Sequence, residues 1–481
     1  YSTAGSKVVG FCSTDNTGVW GIESKYNSSL NGVSGRRYGY FNTDLDLVET
    51  VNEPTNGNNI TSTIDVNVQG ILERHMNTFQ KNTGSKNMGC IIMNPQNGEI
   101  YAMSSYPEYN LNNPRDLSAF YSPEKIDKMS DKKKTENLNK IWRNYCISDA
   151  YEPGSTFKPM TVAACLDEGV TTGSRAYHCD GYQVINGVRI KCVAYSRGGH
   201  GTINICQSLM ESCNDVLMQL GADLGKRKFL QYVNEFGFGK KTGIDLPGEA
   251  TGGVFTNDTM HAVELATSSF GQGQTVTMIQ MAAAFSSVIN GGNYYEPHVV
   301  KEVKSENGAV LESNDNALVR RVITENTSKK LRKYLYKTVE EGTALPAKVA
   351  GYQIGGKTGT AEKHPTGRGN YLVSFIGFAT KDNPEVMIYV TIDEPHVADQ
   401  AHSTYATQFS SEVLKEVLPV LGMYQDSSTK KADKTKASDI KLPSTKEAPD
   451  GGYSDGTYSV AGDQTDGTDT ANTASPVPSA E

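Results

Sequence analysis

Between Val66 and Asn82 the apolar residues Ile71, Leu72, Met76 and Phe79 fall on one face at helical spacing, which predicts an amphipathic helix. Two apolar runs follow, Cys90 to Met93 and Glu99 to Met103, on either side of Asn94-Pro95-Gln96-Asn97-Gly98, and they predict a hairpin. Strand-like runs return at Tyr371 to Phe378 and Val386 to Ile392, with Asp382-Asn383-Pro384 as the turn of an antiparallel meander. A final helix is expected near Ser403 to Leu421. Strands early, helices in the middle, strands again and a closing helix predict an α+β fold, with helices packed on an antiparallel sheet.

The polar residues punctuate this pattern. Residues 1–58 are rich in Gly, Ser and Asn, and Glu53-Pro54-Thr55-Asn56-Gly57 marks a boundary near their end. Glu108 to Lys140 is a charged surface excursion. From about Gln425 to Glu481 the chain is dominated by Lys, Asp, Ser, Thr, Gly and Pro, so a disordered tail is expected there.

Three short strings carry candidate chemistry: Ser155-Thr156-Phe157-Lys158, Ser212-Cys213-Asn214 and Lys357-Thr358-Gly359-Thr360. Each pattern is common. SxxK recurs at Ser122–Lys125, Ser130–Lys133, Ser427–Lys430, Ser428–Lys431 and Ser438–Lys441, and a second KTG stands at Lys241-Thr242-Gly243. Context separates them. Ser155 follows the turn signal Pro153-Gly154 and precedes an apolar helical run to Leu166, so its hydroxyl sits at a helix start, where free N–H groups favour a developing anion. Lys158, three residues on, shares its face. The competing SxxK copies lie in charged or tail segments and read as solvated surface. Lys241 leads into a turn-rich loop, whereas Lys357 opens a strand block. Ser212-Cys213-Asn214 joins two helical segments.

As a set, these residues suit acyl transfer. Ser155 is a nucleophile that needs a base, and Lys158 can be that base if burial and a neighbouring cation such as Lys357 lower its pKa. Ser212 can relay a proton to a leaving amine. Asn214 can hold a peptide-like substrate. Lys357, Thr358 and Thr360 suit a terminal carboxylate beside the small Gly359, and the backbone N–H groups of Ser155 and Thr360 suit an oxyanion.

The three strings in this order resemble the signature of penicillin-binding proteins and serine β-lactamases. The resemblance extends to Glu152-Pro153-Gly154 before Ser155, to Phe236-Gly237 through Glu249, and to Ser269-Phe270-Gly271-Gln272-Gly273. Asn290-Gly291-Gly292 and Gly355-Gly356 before Lys357 also fit, as in class B (monofunctional) penicillin-binding proteins. It implies the penicillin-binding-protein/serine β-lactamase-like transpeptidase fold over 59–423. Residues 1–58 would be the C-terminal part of a non-catalytic pedestal or dimerisation domain, and 424–481 a disordered polar tail. It further implies a peptidoglycan D,D-transpeptidase, with Ser155, Lys158 and Ser212 catalytic and with Asn214, Lys357, Thr358, Gly359 and Thr360 contacting substrate. Stem peptides ending in D-Ala-D-Ala would be the substrate, β-lactams would acylate Ser155, and a membrane glycosyltransferase of the division, elongation or sporulation machinery would be the partner. The expected place is the extracytoplasmic face of the bacterial membrane. Hydrolysis or sensing of β-lactams by the same fold is the alternative reading. Cys213 departs from the family's Asp in the middle of the second string.

Composition adds limits. The formal net charge of −8 argues against nucleic acid as a partner. No apolar run is long enough to cross a membrane and the chain starts at Tyr1, so a fragment lacking the family's anchor helix and much of the pedestal is expected. Of eight cysteines, Cys90 and Cys165 lie in apolar runs and are expected as buried thiols. Cys179 and Cys192 flank a short hairpin and are the best-placed pair for a disulfide. No metal or cofactor is expected, because His178 and His200 lack paired-ligand spacing; a structural role is expected for His200.

Overall fold

A computed structural model describes residues 3–314 and 318–425. The expected tail beyond Gln425, with its three SxxK copies, lies outside the described residues. At the centre is a five-stranded antiparallel sheet built from β1 (Ser85–Met93), β2 (Ile100–Tyr106), β3 (Ile354–Glu362), β4 (Tyr371–Ala379) and β5 (Val386–Pro395). Its spatial order is β3-β4-β5-β1-β2, so the two ends of the chain supply adjacent strands, with Val390 opposite Cys90 in the central pair.

The sheet is buried on both faces, and the period of two along each strand sorts its side chains. Met88, Cys90 and Ile92 of β1, Val373 and Phe375 of β4, and Ile388, Val390 and Ile392 of β5 face one layer. That layer contains α1 (Val66–Asn82) and α7 (Thr404–Val420). Ile91, Met93, Ile376, Phe378, Met387 and Tyr389 face the opposite layer. Asp65 caps α1, accepting from Asn67 N at 2.8 Å and Val68 N at 3.1 Å.

The opposite layer holds α2 (Lys158–Asp167), α3 (Ile205–Met210), α4 (Asn214–Leu224), α5 (Met278–Ile289) and α6 (Glu325–Glu341). Every residue of α5 is buried. Such a helix has no polar face; its start is set instead by a capping box between Thr277 and Gln280.

Residues 3–30 pack into the same molecule. Val8 and Ile22 join the core beneath the sheet, and Phe11 packs edge-on against Tyr109 and tilted against Trp142 in a small cluster under the charged excursion. That excursion is partly helical, at Pro123–Asp127 and Asp131–Trp142. Ser130 caps the second of these helices by accepting from Lys133 N, and this capping role is what its SxxK spacing reflects. A solvent-exposed hairpin, Arg36–Phe41 with Leu47–Asn52, precedes the strand Asn59–Ser62, which pairs with Val300–Lys304.

Candidate active site

Ser155 lies in a single 3₁₀ turn, Gly154–Phe157, that runs straight into α2. Pro159 falls within the first turn of α2, where its missing N–H costs nothing. Gly154 takes a left-handed φ of 56° and donates its N–H to the Gly271 carbonyl at 2.9 Å, which fixes the approach to the serine. Ser155 is half-buried, and Lys158 is completely buried one turn further in.

The second string closes the gap between α3 and α4. Ser212 adopts φ 53°, a conformation that ordinary residues rarely take, and the strain points its hydroxyl into the site. Its Oγ lies 2.9 Å from Ser155 Oγ, 3.1 Å from Lys158 Nζ and 3.0 Å from Lys357 Nζ. One hydroxyl therefore touches the Ser155 hydroxyl and both amines. Lys158 Nζ also donates to the Ser212 carbonyl at 2.6 Å and to Asn214 Oδ1 at 2.7 Å.

The third string lies on β3, the edge strand of the sheet. Lys357 is completely buried and donates to Thr358 O at 3.2 Å and Thr358 Oγ1 at 3.3 Å. A Cβ on Gly359 would overlap Ser374 Oγ and press on Thr156 Cγ2 at 3.0 Å and Pro153 O at 3.2 Å, so only glycine lets the serine turn pack on this strand. The Thr360 carbonyl lies beside Gly154, 3.2 Å from where a Cβ there would sit. In an antiparallel strand the N–H and C=O of one residue point to the same side, so the Thr360 N–H also faces the free edge towards Ser155.

The structure thus brings all eight sequence-predicted residues into one site. The second KTG string does not join it. Lys241 is exposed, the Thr242 hydroxyl bonds Glu249 Oε1 at 2.6 Å, and Asp245 accepts from Val299 N at 2.7 Å and Val300 N at 2.8 Å, so this loop clamps a strand. Thr343, which no sequence signal marks, reaches Thr358 Oγ1 at 3.3 Å from the turn after α6.

Electrostatics follow from burial. The acceptors around both ammonium groups are neutral oxygens. Burial pulls Lys158 down to about 8, against a weaker upward pull from the Cys213 and Cys192 sulfurs. Lys357 is held well below its ordinary value by burial, reinforced by the neighbouring Lys158. Two amines this close and this dry favour one proton fewer and an incoming anion.

Behind the second string lie Cys179, Cys192, His200 and Cys213, whose ligand-type atoms all fall within 4.8 Å of one another. Cys179 and Cys192, the best-placed pair for a disulfide, are free thiols; Cys90 and Cys165 are buried as expected.

The chain has counterparts among known proteins. The model of the penicillin binding protein transpeptidase domain matches residues 88–417. The chain belongs to that family. It is 37% identical over 429 residues to stage V sporulation protein D of Bacillus subtilis, covering 87% of this chain and 63% of that protein. It is 27% identical to the probable peptidoglycan D,D-transpeptidase PenA of Neisseria meningitidis, covering 85% and 65%. The chain therefore spans slightly less than two thirds of these relatives. Among solved structures, a putative peptidoglycan glycosyltransferase from Atopobium parvulum superposes with a TM-score of 0.71 at 25% identity, covering 88% of this chain and 91% of that one. Penicillin binding protein 3 from Mycobacterium tuberculosis, complexed with ampicillin, shares the fold with a TM-score of 0.74 at 22% identity, covering 89% and 90%.

Among the described residues no helix is long and apolar enough to cross a membrane.

Proposed function

We propose that this protein is a class B peptidoglycan D,D-transpeptidase that works through an acyl-enzyme on Ser155. The observation that carries the reading is the Ser212 hydroxyl, within hydrogen-bond distance of Ser155 Oγ, Lys158 Nζ and Lys357 Nζ at once. A hydroxyl so placed passes protons between a nucleophile and an amine without any histidine.

A stem peptide ending in D-Ala-D-Ala lies along the edge of β3, its carboxylate towards Thr358 and Thr360 near Lys357, and Asn214 holds its amide. Lys158, neutral in part because it is buried, takes the Ser155 proton as Oγ attacks the penultimate D-Ala carbonyl. The N–H groups of Ser155 and Thr360 receive the oxyanion. The proton returns through Ser212 to the leaving nitrogen and D-Ala departs. An amine on a second stem peptide then attacks the ester by the reverse path and completes the cross-link. A β-lactam, whose amide and carboxylate mimic that terminus, acylates the same serine.

Residues 59–423 form the transpeptidase unit in this reading, and 1–58 are the C-terminal part of a non-catalytic pedestal or dimerisation domain. The place of action is the extracytoplasmic face of the membrane, and a glycosyltransferase supplies the glycan strand. The 37% identity to a stage V sporulation protein favours spore-wall synthesis among the family's roles.

The test is a two-peptide assay. A donor ending in D-Ala-D-Ala and an amine acceptor should yield D-Ala and a cross-linked product. D-Ala release without cross-linking would make the protein a carboxypeptidase. Rapid turnover of bound penicillin would make it a β-lactamase, and either result overturns the reading.

A further inference from the structure

Cys179 ends the strand Ala176–Cys179, Cys192 follows the strand Val188–Lys191, His200 precedes the strand Gly201–Asn204, and Cys213 is the central residue of the Ser212-Cys213-Asn214 string. Read along the chain, the histidines near these cysteines lack ligand spacing. Folded, the four residues converge from four separate segments. Cys179 Sγ lies 3.5 Å from His200 Nδ1, Cys192 Sγ lies 3.7 Å from the same nitrogen, and Cys192 Sγ lies 3.7 Å from Cys213 Sγ. Around a tetrahedral zinc with Zn–S about 2.3 Å and Zn–N about 2.0 Å, neighbouring sulfurs stand about 3.8 Å apart and sulfur and nitrogen about 3.5 Å. A disulfide would need sulfurs about 2.0 Å apart. The three cysteines are buried, and His200 turns Nδ1 to the sulfurs while its Nε2 is buried without a hydrogen-bond partner.

We propose that Cys179, Cys192, His200 and Cys213 bind one Zn²⁺ as a closed structural site, and that this zinc holds the Ser212–Asn214 string in its working shape. Zinc is the metal that a three-thiolate, one-imidazole tetrahedron selects. Binding releases the thiol protons to solvent and needs no oxidant.

The link to the active site is geometric. Cys213 has extended backbone angles, φ −68° and ψ 115°, so its side chain points away from those of its two neighbours. Ser212 and Asn214 face Lys158, and Cys213 faces the metal position. Cys192 directly follows a hairpin, Tyr182–Ile185 with Val188–Lys191, that is already tied to the same string, and Cys179 and His200 stand at the ends of the paired strands Ala176–Cys179 and Gly201–Asn204. Asn214 Nδ2 donates to Lys191 O at 3.4 Å, and Gln183 Nε2 donates to Asp215 Oδ1 at 2.5 Å. A zinc here pins the hairpin to the back of the catalytic loop and keeps Ser212 at its strained φ.

The experiment uses the purified chain, never exposed to chelator, with metal counted by mass spectrometry. The expected result is one zinc per chain. Replacement by Co²⁺ should give the intense visible bands of a tetrahedral thiolate site. Cys179→Ser with Cys192→Ser should lose the metal. Stripping the zinc from the wild type should slow acylation by a fluorescent penicillin by about tenfold or more, with recovery on adding Zn²⁺ but not Mg²⁺. A chain that retains no zinc and shows no tetrahedral cobalt spectrum overturns the site, as does a Cys179–Cys192 disulfide in a non-reduced digest. Unchanged acylation after stripping overturns the positioning role. That role rests on the transpeptidase reading, whereas the metal count does not, so a zinc-loaded chain that ignores penicillin would refute the reading and leave the site standing.

Discussion

As the proposed base, Lys158 must lose a proton before it can accept one, and its burial sets the pH at which it does so. Burial brings it from 10.5 to about 8, so the neutral fraction grows as pH rises through that value. Acylation by a β-lactam should therefore climb about tenfold per unit at pH below about 8 and level off above it. Stopped-flow acylation from pH 6 to 9.5 measures this, and a flat profile would remove Lys158 as the base. Lys158→Arg, charged throughout, should lose about 10²-fold or more. The residue types of this site were legible in the sequence because the apolar helical run after Ser155, the helical segments flanking Ser212 and the strand block at Lys357 set those copies apart from the others. The left-handed Ser212 was not legible, since only packing around α3 and α4 imposes that strain. Nor was the meeting of Cys213 with Cys179 and His200, which depends on how four segments fold back on each other.

At the scale of elements, the same tripeptide does two jobs. Lys357-Thr358-Gly359 lies on a buried edge strand, and Lys241-Thr242-Gly243 opens a loop that clamps Val299 and Val300 through Asp245. Lys241→Met should leave penicillin acylation within twofold of the wild type, while Lys357→Met should reduce it about a hundredfold. Asp245→Ala should instead lower stability by about 2 kcal/mol, read by urea melts, because two buried N–H groups lose their acceptor. Gly359→Ala should both destabilise the fold by about 1–3 kcal/mol and slow acylation, because its methyl would push the Ser155 turn off the strand. Element types were readable where a period was strong: α1, the β1–β2 hairpin and the β4–β5 meander stand where the pattern puts them. The wholly buried α5 has no period of its own, because both its neighbours and the sheet are apolar.

For the whole molecule, the central sheet joins strands from near residue 90 to strands beyond 350, so the site exists only once both ends of the domain have met. Phe11, from the N-terminal segment, packs on Tyr109 and Trp142, so that segment is expected to unfold together with the domain it lies against. Phe11→Ala should lower stability by about 3 kcal/mol within a single calorimetric transition; a separate early transition would show that residues 3–30 fold as their own unit. The overall class was legible because strand-rich ends enclosing a helical middle leave few packings.

The central claim is that Ser155 is the nucleophile in a hydroxyl–amine relay. Its most direct test is peptide mapping by mass spectrometry after brief exposure to a fluorescent penicillin. The account predicts one penicilloyl group per chain, long-lived, on the peptide containing Ser155, and none on Ser155→Ala. An adduct on any other residue, or none on the folded wild type, would contradict it.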